Sequence, residues 1–353
     1  MLNSTVKSEM ATLNVQSGGS TGEPKQLARP LHTWLHSAEV ESGVFSITPE
    51  DRFSAMCSPR HSLWAYAAFR AQCLGASFLG ISPEVILRNS SNLQARWRAA
   101  APSVVYGVPE LVATAATQFY RRSYVAASVR IVLLGGGPVP SCFPVAKVQA
   151  AFPNAQIWSF YGSAEASFIG YAALGSPYRA FPTVRVTIRE AGEIWVESPM
   201  TITANQPMFT GDLGEWASEC SFRVLGRAAR QLVIHGEKHA VEPLEQALMS
   251  QFGVSQLVLM GNQWGQVICI AARARGRAQD VTTSEVDVNH GLSASQSAFP
   301  QFSCQHLNEV LRAIRPGFPG VRRIVLLDAA DWPLTSTYKT DFWALQRLAK
   351  GDT

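Results

Sequence analysis

The sequence predicts an α/β protein: a large N-terminal α/β domain with a parallel sheet and a small β-rich layer, then a smaller α+β C-terminal domain. Short apolar runs such as Val129–Leu134, which leads into three glycines, are typical of buried strands that end in a loop. Ala-rich segments of helical period that begin near a proline, such as Pro109–Tyr120, alternate with these runs and favour a parallel sheet. The alternating pattern of Val184–Arg189 and Glu193–Glu197 predicts a hairpin, and with it the β-rich layer.

The remaining elements follow from the same patterns. In the large domain these are one strand and two helices, at Ser103–Tyr106, Trp64–Gln72 and Pro144–Phe152. The pattern restarts after Gly226, so we expect domains over residues 1–225 and 226–353. The second domain's predicted elements are, in order, Leu232–Ile234 (strand), Pro243–Phe252 (helix), Gln256–Met260 and Gln266–Ala271 (strands), Cys304–Ile314 (helix) and Arg323–Leu327 (strand). The polar stretch Arg273–Gln301 is predicted to be a mobile excursion.

The composition excludes several classes of protein. Of 353 residues, 47% are hydrophobic and 16% charged, with a formal net charge of +4, which is typical of a globular chain and not of a disordered one. There is no basic tract, so no nucleic-acid partner is expected. Six cysteines without a Cys-x-x-Cys pair argue against a zinc site or disulfide framework and favour a cytoplasmic protein. No apolar segment predicts a signal peptide or a membrane span.

The segment Ser17–Lys25 is the most informative part of the sequence. It holds three glycines and three hydroxyl residues and ends in Pro24 and Lys25. Glycines let successive N–H groups point into one concavity, and hydroxyls and a lysine add further donors, so the loop suits a polyphosphate. Its spacing is not that of a Walker loop. The alternative is a Gly/Ser-rich linker, although the Pro-Lys ending is unlike one.

The loop resembles the phosphate loop of the adenylate-forming superfamily, which includes acyl-CoA synthetases, aryl-acid ligases and peptide-synthetase adenylation domains. Gly19 stands where that family has a hydroxyl residue. Further segments resemble the family's other motifs in the same order, namely Leu133–Pro140, Tyr161–Glu165, Thr210–Asp212, Gly226–Arg227 and Pro333–Lys339. The resemblance implies a mobile C-terminal domain that carries the catalytic lysine.

The resemblance also implies which residues bind ATP. They are Ser17, Gly18, Gly19, Ser20, Thr21, Gly22, Lys25, Gly136, Gly137, Pro138, Tyr161, Gly162, Ser163, Asp212 and Arg227. Tyr161 offers a stacking face for adenine, and Asp212 accepts the ribose hydroxyls. Glu165 is implied to hold Mg²⁺ beside the phosphates, and Lys339 to stabilise charge during adenylate formation. Taken singly, such residues are more often packing, turn or surface groups.

His61 and Trp64 are the candidates for the acyl pocket. They lie where relatives place an aromatic residue or a histidine at the start of a helix that lines the pocket. A capping role for His61 and a core role for Trp64 are equally compatible with the sequence. The run Ala228–Leu248 is similar to short acyl or aryl ligases that deliver the acyl group to a carrier protein. The expected partners are therefore a carboxylic acid of the aryl or fatty class, and either CoA or an acyl or peptidyl carrier protein.

Three departures from the family pattern leave alternatives open. Ala164, Ala229 and Tyr338 stand where the family has threonine, the hinge aspartate and glycine. The alternatives are a degenerate relative that binds nucleotide or a carrier protein without turnover, and a half-reaction enzyme that forms only the acyl-adenylate. The phosphate loop also begins at Ser17, whereas full-length relatives have a substantial region before it. The chain is thus expected to be N-terminally shortened, either half of a split ligase or completed by a homodimer partner or a complementing subunit.

Overall fold

The computed structural model describes residues 11–16, 26–88, 91–140, 143–203, 205–234, 237–254, 256–261, 266–273, 303–314, 320–328, 331–334 and 340–350. The described residues separate into two compact units. Of the described residues, the larger unit contains those up to Thr210 together with Gly214–Val224. The smaller unit contains Gly211–Leu213 and the described residues from Leu225 onward.

The larger unit is built on one long sheet. Its strands are β3 (Phe53–Met56), β4 (Phe78–Ile81), β5 (Val104–Gly107), β6 (Ile131–Leu134), β7 (Gln156–Ser163), β8 (Ser167–Ala173) and β9 (Arg179–Ala180). Their order is β4-β3-β5-β6-β7-β8-β9. The pairs from β4 to β7 are parallel, and β8 and β9 are added antiparallel. The predicted α/β class with a parallel sheet is confirmed.

Helices cover both faces of this sheet. They are α1 (Leu31–Phe45), α2 (Ser62–Leu74), α3 (Pro83–Leu87), α4 (Ser91–Ala100), α5 (Pro109–Arg121) and α6 (Val145–Ala151). Strand side chains alternate between the faces. Val132 and Leu134 of β6 join a core with Trp97 of α4, whereas Leu133 joins a second core with Trp34 of α1. Since both faces are buried, the central strands β5 and β6 are apolar throughout, which is why these two were predicted from the sequence.

A smaller antiparallel sheet forms the predicted β-rich layer. Its strands are β10 (Arg185–Ile188), β11 (Glu193–Glu197), β12 (Met208–Ser218) and β13 (Ser221–Arg227), in that order. Strands β10 and β11 pair from Arg185 opposite Glu197 to Ile188 opposite Ile194. Gly192, at a φ of +78°, lies in the turn between them, where a positive φ favours glycine. The hairpin expected from the alternating pattern is present.

A separate hairpin precedes α1 and was not predicted. Strands β1 (Thr12–Gln16) and β2 (Gln26–Pro30) pair antiparallel. The last pair joins Gln16 to Gln26, so the two residues that flank the segment 17–25 are neighbours. The segment 17–25 itself lies outside the described residues.

The smaller unit has its own sheets and core. Its elements are β14 (Gln231–Ile234), β15 (Glu237–Ala240), α7 (Glu242–Phe252), β16 (Leu257–Gly261), β17 (Val267–Arg273), α8 (Cys304–Ile314), β18 (Val321–Asp328) and α9 (Phe342–Lys350). Strands β16, β17 and β18 form one sheet, with β17 and β18 parallel. Leu248, Leu307 and Leu311 are fully buried in its core. In the described parts of the chain, no helix is long and apolar enough to cross a bilayer.

Candidate nucleotide and acyl site

The carboxyl ends of three neighbouring parallel strands bring several predicted residues to one edge of the large sheet. Strands β3, β5 and β6 end at Met56, Gly107 and Leu134. The segments that follow them lead to His61 and to the glycine run that begins at Gly135. In open α/β sheets, ligands bind outside the carboxyl ends of the strands. This edge is therefore the position at which the fold favours a ligand.

His61 and Gly136 lie against each other at this edge. His61 is 7% exposed and caps α2, since its Nδ1 accepts a hydrogen bond of 3.1 Å from the Leu63 N–H. Its Nε2 faces Gly136, where an added Cβ would lie 3.0 Å from Nε2 and 3.2 Å from Val108 Cγ1. Gly136 has a φ of +82°, so both the conformation and the close approach favour glycine. The structure brings these two predicted residues together.

Trp64 has a packing environment of its own. Its ring lies on the backbone of β4, where a Cβ at Gly80 would overlap the indole. It also makes an edge contact with Phe78, with ring centroids 5.6 Å apart. Trp64 therefore covers the outer strand β4, next to β3. A role for Trp64 in the acyl pocket stays a prediction.

Gly137 and Pro138 follow Gly136 in the same loop. Gly137 has open space around the position of a Cβ, with no atom within 4 Å. Gly137 and Pro138 are exposed, and the next two residues of the loop are half-buried. The two residues thus lie beside the His61 contact on the accessible side of the edge.

The segment Tyr161–Glu165 covers the end of β7 and the first residues of the turn that leads into β8. Ser163 pairs with Ser167, and the Ser163 hydroxyl accepts a hydrogen bond of 3.1 Å from the Ala166 N–H. A Cβ at Gly162 would overlap the Ser167 carbonyl oxygen, so the tight pairing requires glycine there. The motif is therefore a rigid turn that presents Ala164 and Glu165 at its tip.

The Tyr161 ring is held by two other aromatic rings. Its centroid lies 5.9 Å from that of Tyr178 and 6.0 Å from that of Phe222. Tyr178 is fixed in turn by a hydrogen bond of 2.8 Å between its hydroxyl and the Ser159 hydroxyl. Burial raises the pKa of Tyr178, and the bond to Ser159 offsets part of that effect. Tyr161 itself remains half-buried, so its ring is oriented and still partly accessible.

Glu165 is a half-buried carboxylate at the tip of this turn. Within the described residues, no three histidine, cysteine, aspartate or glutamate side chains are grouped so that they could hold a metal ion. Mg²⁺ that arrives with nucleotide phosphates needs only one or two protein carboxylates, because it keeps several waters. A single accessible glutamate fits that requirement.

Arg29 is a residue at this site that the sequence did not single out. It lies on β2, is fully buried, and donates hydrogen bonds to the carbonyl oxygens of Ala164 and Met200. Burial lowers its pKa to about 10, while the negative charge of Glu165 acts in the opposite direction. No pattern in the sequence indicates this role of Arg29, because both of its acceptors are backbone carbonyl oxygens that are distant in the chain.

In the smaller unit, Asp212 and Arg227 form an ion pair. The Arg227 Nε lies 3.1 Å from the Asp212 Oδ1, and Asp212 is 8% exposed. Gly211, at a φ of +80°, leaves room for the guanidinium, since a Cβ there would lie 3.3 Å from Arg227 Nη1. Two of the residues predicted to bind ATP are thus in contact with each other.

The backbone at Arg227 is held by Glu242 at the start of α7. Glu242 Oε1 accepts a hydrogen bond of 3.2 Å from the Arg227 N–H and lies 3.5 Å from Arg230 Nη1. Burial raises the pKa of the Glu242 carboxyl, and the charge of Arg230 offsets part of this effect. Gly226, at a φ of +138°, has no room for a side chain, since a Cβ would overlap the Glu242 carboxylate. Ala229 lies in the short 3-10 turn Ala228–Arg230.

Several predicted residues lie outside the described residues. These are Ser17, Gly18, Gly19, Ser20, Thr21, Gly22, Lys25 and Lys339. The departure at Tyr338 and the excursion after Arg273 lie there too. The Lys339 segment is flanked by Leu334 and Thr340, which pair as an isolated antiparallel bridge.

Comparison with known proteins identifies relatives. The model of the AMP-binding enzyme family matches residues 5–203. An uncharacterized acyl–CoA ligase, YhfT of Bacillus subtilis, is 26% identical over 281 residues, which cover 71% of this chain and 56% of the relative. The 2-succinylbenzoate–CoA ligase of Bacillus subtilis is 23% identical over 290 residues, or 73% of this chain and 57% of the relative. The chain therefore spans a little over half the length of these curated relatives.

Solved structures show the same fold. The O-succinylbenzoate coenzyme A synthetase of Bacillus subtilis, in complex with AMP, has a TM-score of 0.70 at 20% identity, covering 94% of this chain and 68% of that one. An anthranilate CoA ligase in complex with anthranoyl-AMP has a TM-score of 0.72 at 14% identity, covering 96% of this chain and 67% of that one.

Proposed function

Because the chain belongs to the family of AMP-binding enzymes, we propose that it is an ATP-dependent acid–thiol ligase. The carboxylate of the acid attacks the α-phosphate of ATP, the bond to the β-phosphate breaks, and acyl-AMP and pyrophosphate form. A thiol then attacks the acyl carbonyl, gives up its proton and displaces AMP. One observation carries this proposal: His61 and the glycine run that begins at Gly135 lie together at the carboxyl edge of the parallel sheet.

The geometry of individual groups supports the proposed nucleotide roles. The Tyr161 ring, oriented by Tyr178 and Phe222, offers an aromatic face to adenine. The Asp212 carboxylate accepts the ribose hydroxyls, and the ion pair with Arg227 holds that carboxylate in one orientation. The segment Ser17–Lys25 supplies N–H and hydroxyl donors to the phosphates.

Glu165 is proposed as the protein ligand of Mg²⁺ that accompanies ATP. Mg²⁺ supplies positive charge beside the phosphate oxygens. The protein's part is to hold one carboxylate at a fixed place, and the hydrogen-bonded turn from Ser163 to Ser167 does so. Lys339 supplies the second positive charge, which stabilises the charge that develops as the carboxylate attacks the α-phosphate.

An aryl acid is the substrate class that we favour. The buried imidazole of His61 and the neighbouring Val108 present one polar group beside an apolar wall, as in a pocket for a largely apolar acid. Two of the relatives carry 2-succinylbenzoate and anthranilate in their names, and both are aromatic acids. A fatty acid is the other candidate. A carrier protein or CoA is proposed as the thiol.

A non-catalytic nucleotide-binding role is the second candidate. Ala164 and Ala229 each lack a polar side chain that the family pattern has. Losses of this kind are not additive, so two together are able to abolish turnover while binding persists. This second role would be favoured if calorimetric titration shows that ATP binds while no acid yields a product.

ATP–pyrophosphate exchange tests the proposal. Exchange would be measured across aryl acids and fatty acids of increasing length, with wild type, Lys339→Ala and Lys147→Ala. We expect one class of acid to support exchange and Lys339→Ala to reduce it roughly 10²–10³-fold, the usual cost of removing one group that stabilises transition-state charge. Lys147 is exposed on α6, so its variant is the matched control. Equal exchange in wild type and Lys339→Ala would contradict the role of Lys339.

The prediction that a second copy or a complementing subunit takes part is tested on the same material. Light scattering gives the mass of the purified chain, and exchange is measured on the same fraction. A monodisperse monomer with full activity would contradict the prediction.

A further inference from the structure

A single buried guanidinium joins three segments of the larger unit. Arg29 lies on β2 of the hairpin that flanks residues 17–25. Its Nη1 donates to the Ala164 carbonyl and its Nη2 to the Met200 carbonyl. Its Nε is buried and has no hydrogen-bond partner among the described residues. The side chain thus connects the hairpin, the turn that carries Glu165 and the turn at Met200.

Burial of a guanidinium has a desolvation cost, which indicates that the hydrogen bonds of Arg29 have a specific role. A buried charge is normally paired with an opposite charge, yet both acceptors of Arg29 are neutral carbonyls. Desolvation lowers the pKa of Arg29 to about 10, and the nearby negative charge of Glu165 limits the effect. The group therefore remains a cation at neutral pH. An apolar residue of similar size would fill the same space, but it would not bind the two carbonyls.

The contacts of Arg29 fix the backbone next to Glu165. The Ala164 carbonyl belongs to the peptide bond that precedes Glu165, and Arg29 holds it. The carbonyl of Glu165 itself accepts a hydrogen bond of 2.9 Å from the Ile202 N–H. Ile202 lies two residues beyond Met200, the other acceptor of Arg29. Both peptide planes that flank the Glu165 Cα are therefore anchored through one cluster of bonds.

We propose that Arg29 is a positioning residue that fixes the Ala164–Glu165 peptide and so aims the Glu165 carboxylate. The role of Glu165 toward Mg²⁺ rests on the proposed function, whereas the effect of Arg29 on the turn does not. Arginine suits the task because its planar fork reaches two acceptors at once. Lysine carries the same charge but does not reproduce that fork, so Arg29→Lys separates geometry from charge.

Arg70 provides a matched control. It is 2% exposed and lies in the same unit, but it binds Glu41 and Ser42, with Nε 3.0 Å from Glu41 Oε2 and Nη2 2.7 Å from Ser42 Oγ. Arg70→Lys thus disturbs a similarly buried arginine whose hydrogen-bond partners among the described residues, Glu41 and Ser42, lie outside the Glu165 turn. A general loss of stability appears in both variants, whereas a loss of positioning appears only in Arg29→Lys.

Hydrogen–deuterium exchange by mass spectrometry tests the effect on the turn without any activity. In wild type, the amides of Ala166 and Ile202 should be protected at least 100-fold relative to an unstructured peptide. In Arg29→Lys, peptides that cover residues 160–170 and 198–205 should exchange at least tenfold faster, and in Arg70→Lys they should not. Unprotected amides in wild type, or equal acceleration in both variants, would overturn the proposal. The wild-type measurement decides even where a variant fails to fold.

The Mg²⁺ dependence of ATP–pyrophosphate exchange tests the consequence for Glu165. We expect Arg29→Lys to raise the half-saturating Mg²⁺ concentration about fivefold or more, with the KM for the acid changed less than twofold, and Arg70→Lys to leave both near wild type. A shift in the KM for the acid alone would contradict the role. If wild type exchanges with no acid, the proposed function fails, while the amide exchange result for Arg29 still stands or falls by itself.

Discussion

At the scale of single residues, glycines decide how closely the motif segments approach their neighbours. A Cβ added at Gly136 would lie 3.0 Å from Nε2 of the His61 imidazole, and one added at Gly162 would overlap the Ser167 carbonyl oxygen. A methyl group at either position would displace a neighbour. The two glycines therefore have structural roles that hold whether or not the site binds a nucleotide.

Gly162→Ala is expected to destabilise the larger unit by about 1–3 kcal/mol, the usual cost of overpacking. The reason is that its Cβ would overlap the Ser167 carbonyl oxygen and open the β7–β8 hairpin. Urea unfolding measures the change. Gly43→Ala is the control, because Gly43 lies in α1 with no atom within 4 Å of a Cβ. This control should be stabilised by about 0.5–1 kcal/mol. Equal effects of the two variants would contradict the packing argument.

Asp212→Asn is expected to raise the KM for ATP roughly tenfold to 100-fold, because a hydrogen bond to a charged group contributes about 1.5–3 kcal/mol. Steady-state kinetics with ATP and with 2′,3′-dideoxy-ATP measure this contact. Wild type should prefer ATP, and the variant should distinguish the two nucleotides much less. Glu215→Gln is the control, since Glu215 belongs to an exposed pair with Arg223 at 3.9 Å. A variant that keeps the full preference for ATP would contradict a contact with ribose.

At the scale of elements, a polar cluster ties together the amino ends of the parallel strands, opposite the candidate site. Asp51 precedes β3 and accepts hydrogen bonds from the Thr48 N–H at 2.9 Å and the Ser103 hydroxyl at 2.7 Å. Arg130, just before β6, donates to both of its carboxylate oxygens. Burial alone would raise the pKa of Asp51, but these bonds outweigh it and hold the pKa below its ordinary value.

Asp51→Asn is expected to lower the free energy of unfolding at pH 7 by about 1–3 kcal/mol, since it weakens a buried, hydrogen-bonded charge pair. The native pKa is lower than the unfolded one, so this stabilisation is complete above the unfolded value of about 3.9 and is lost as the pH falls through the native value. Urea midpoints between pH 7 and pH 3 measure it. The difference in urea midpoint between wild type and variant should become smaller only at the acidic end of this pH range. Asp331→Asn, which changes an exposed carboxylate, is the control.

The elements that the sequence predicted are those whose pattern is local. Helix α5 begins at Pro109 and α8 spans Cys304–Ile314, both as predicted, because a proline at the first turn and a regular apolar stripe are visible in the sequence. Helix α1 was missed because buried polar residues such as Glu41 interrupt its apolar face. Glu41 is satisfied by Tyr66, Tyr106 and Arg70. Those partners are distant in sequence, so no local pattern reveals them.

At the scale of the whole molecule, the order of motifs predicted the fold, but the site had to be read from contacts between distant segments. Glycine loops and the Thr-Gly-Asp and Gly-Arg motifs identify a family wherever they occur in order. In contrast, Arg29 binds carbonyl groups 135 and 171 residues away, and a backbone carbonyl leaves no signature in a sequence. The close approach of His61 to Gly136 also joins two segments that are distant in the chain. Such long-range contacts are the features of the candidate site that the sequence did not predict.

The separate cores of the two units predict two unfolding transitions in calorimetry. Trp97 is fully buried in the larger unit, with Phe119 and Phe152 centroids at 5.5 and 5.8 Å. Leu311 is fully buried in the smaller unit. Trp97→Ala and Leu311→Ala should each cost about 2–5 kcal/mol, and each should lower only its own transition, because neither removes a side chain from the other core. A single transition that both variants shift equally would show instead that the chain unfolds as one cooperative body.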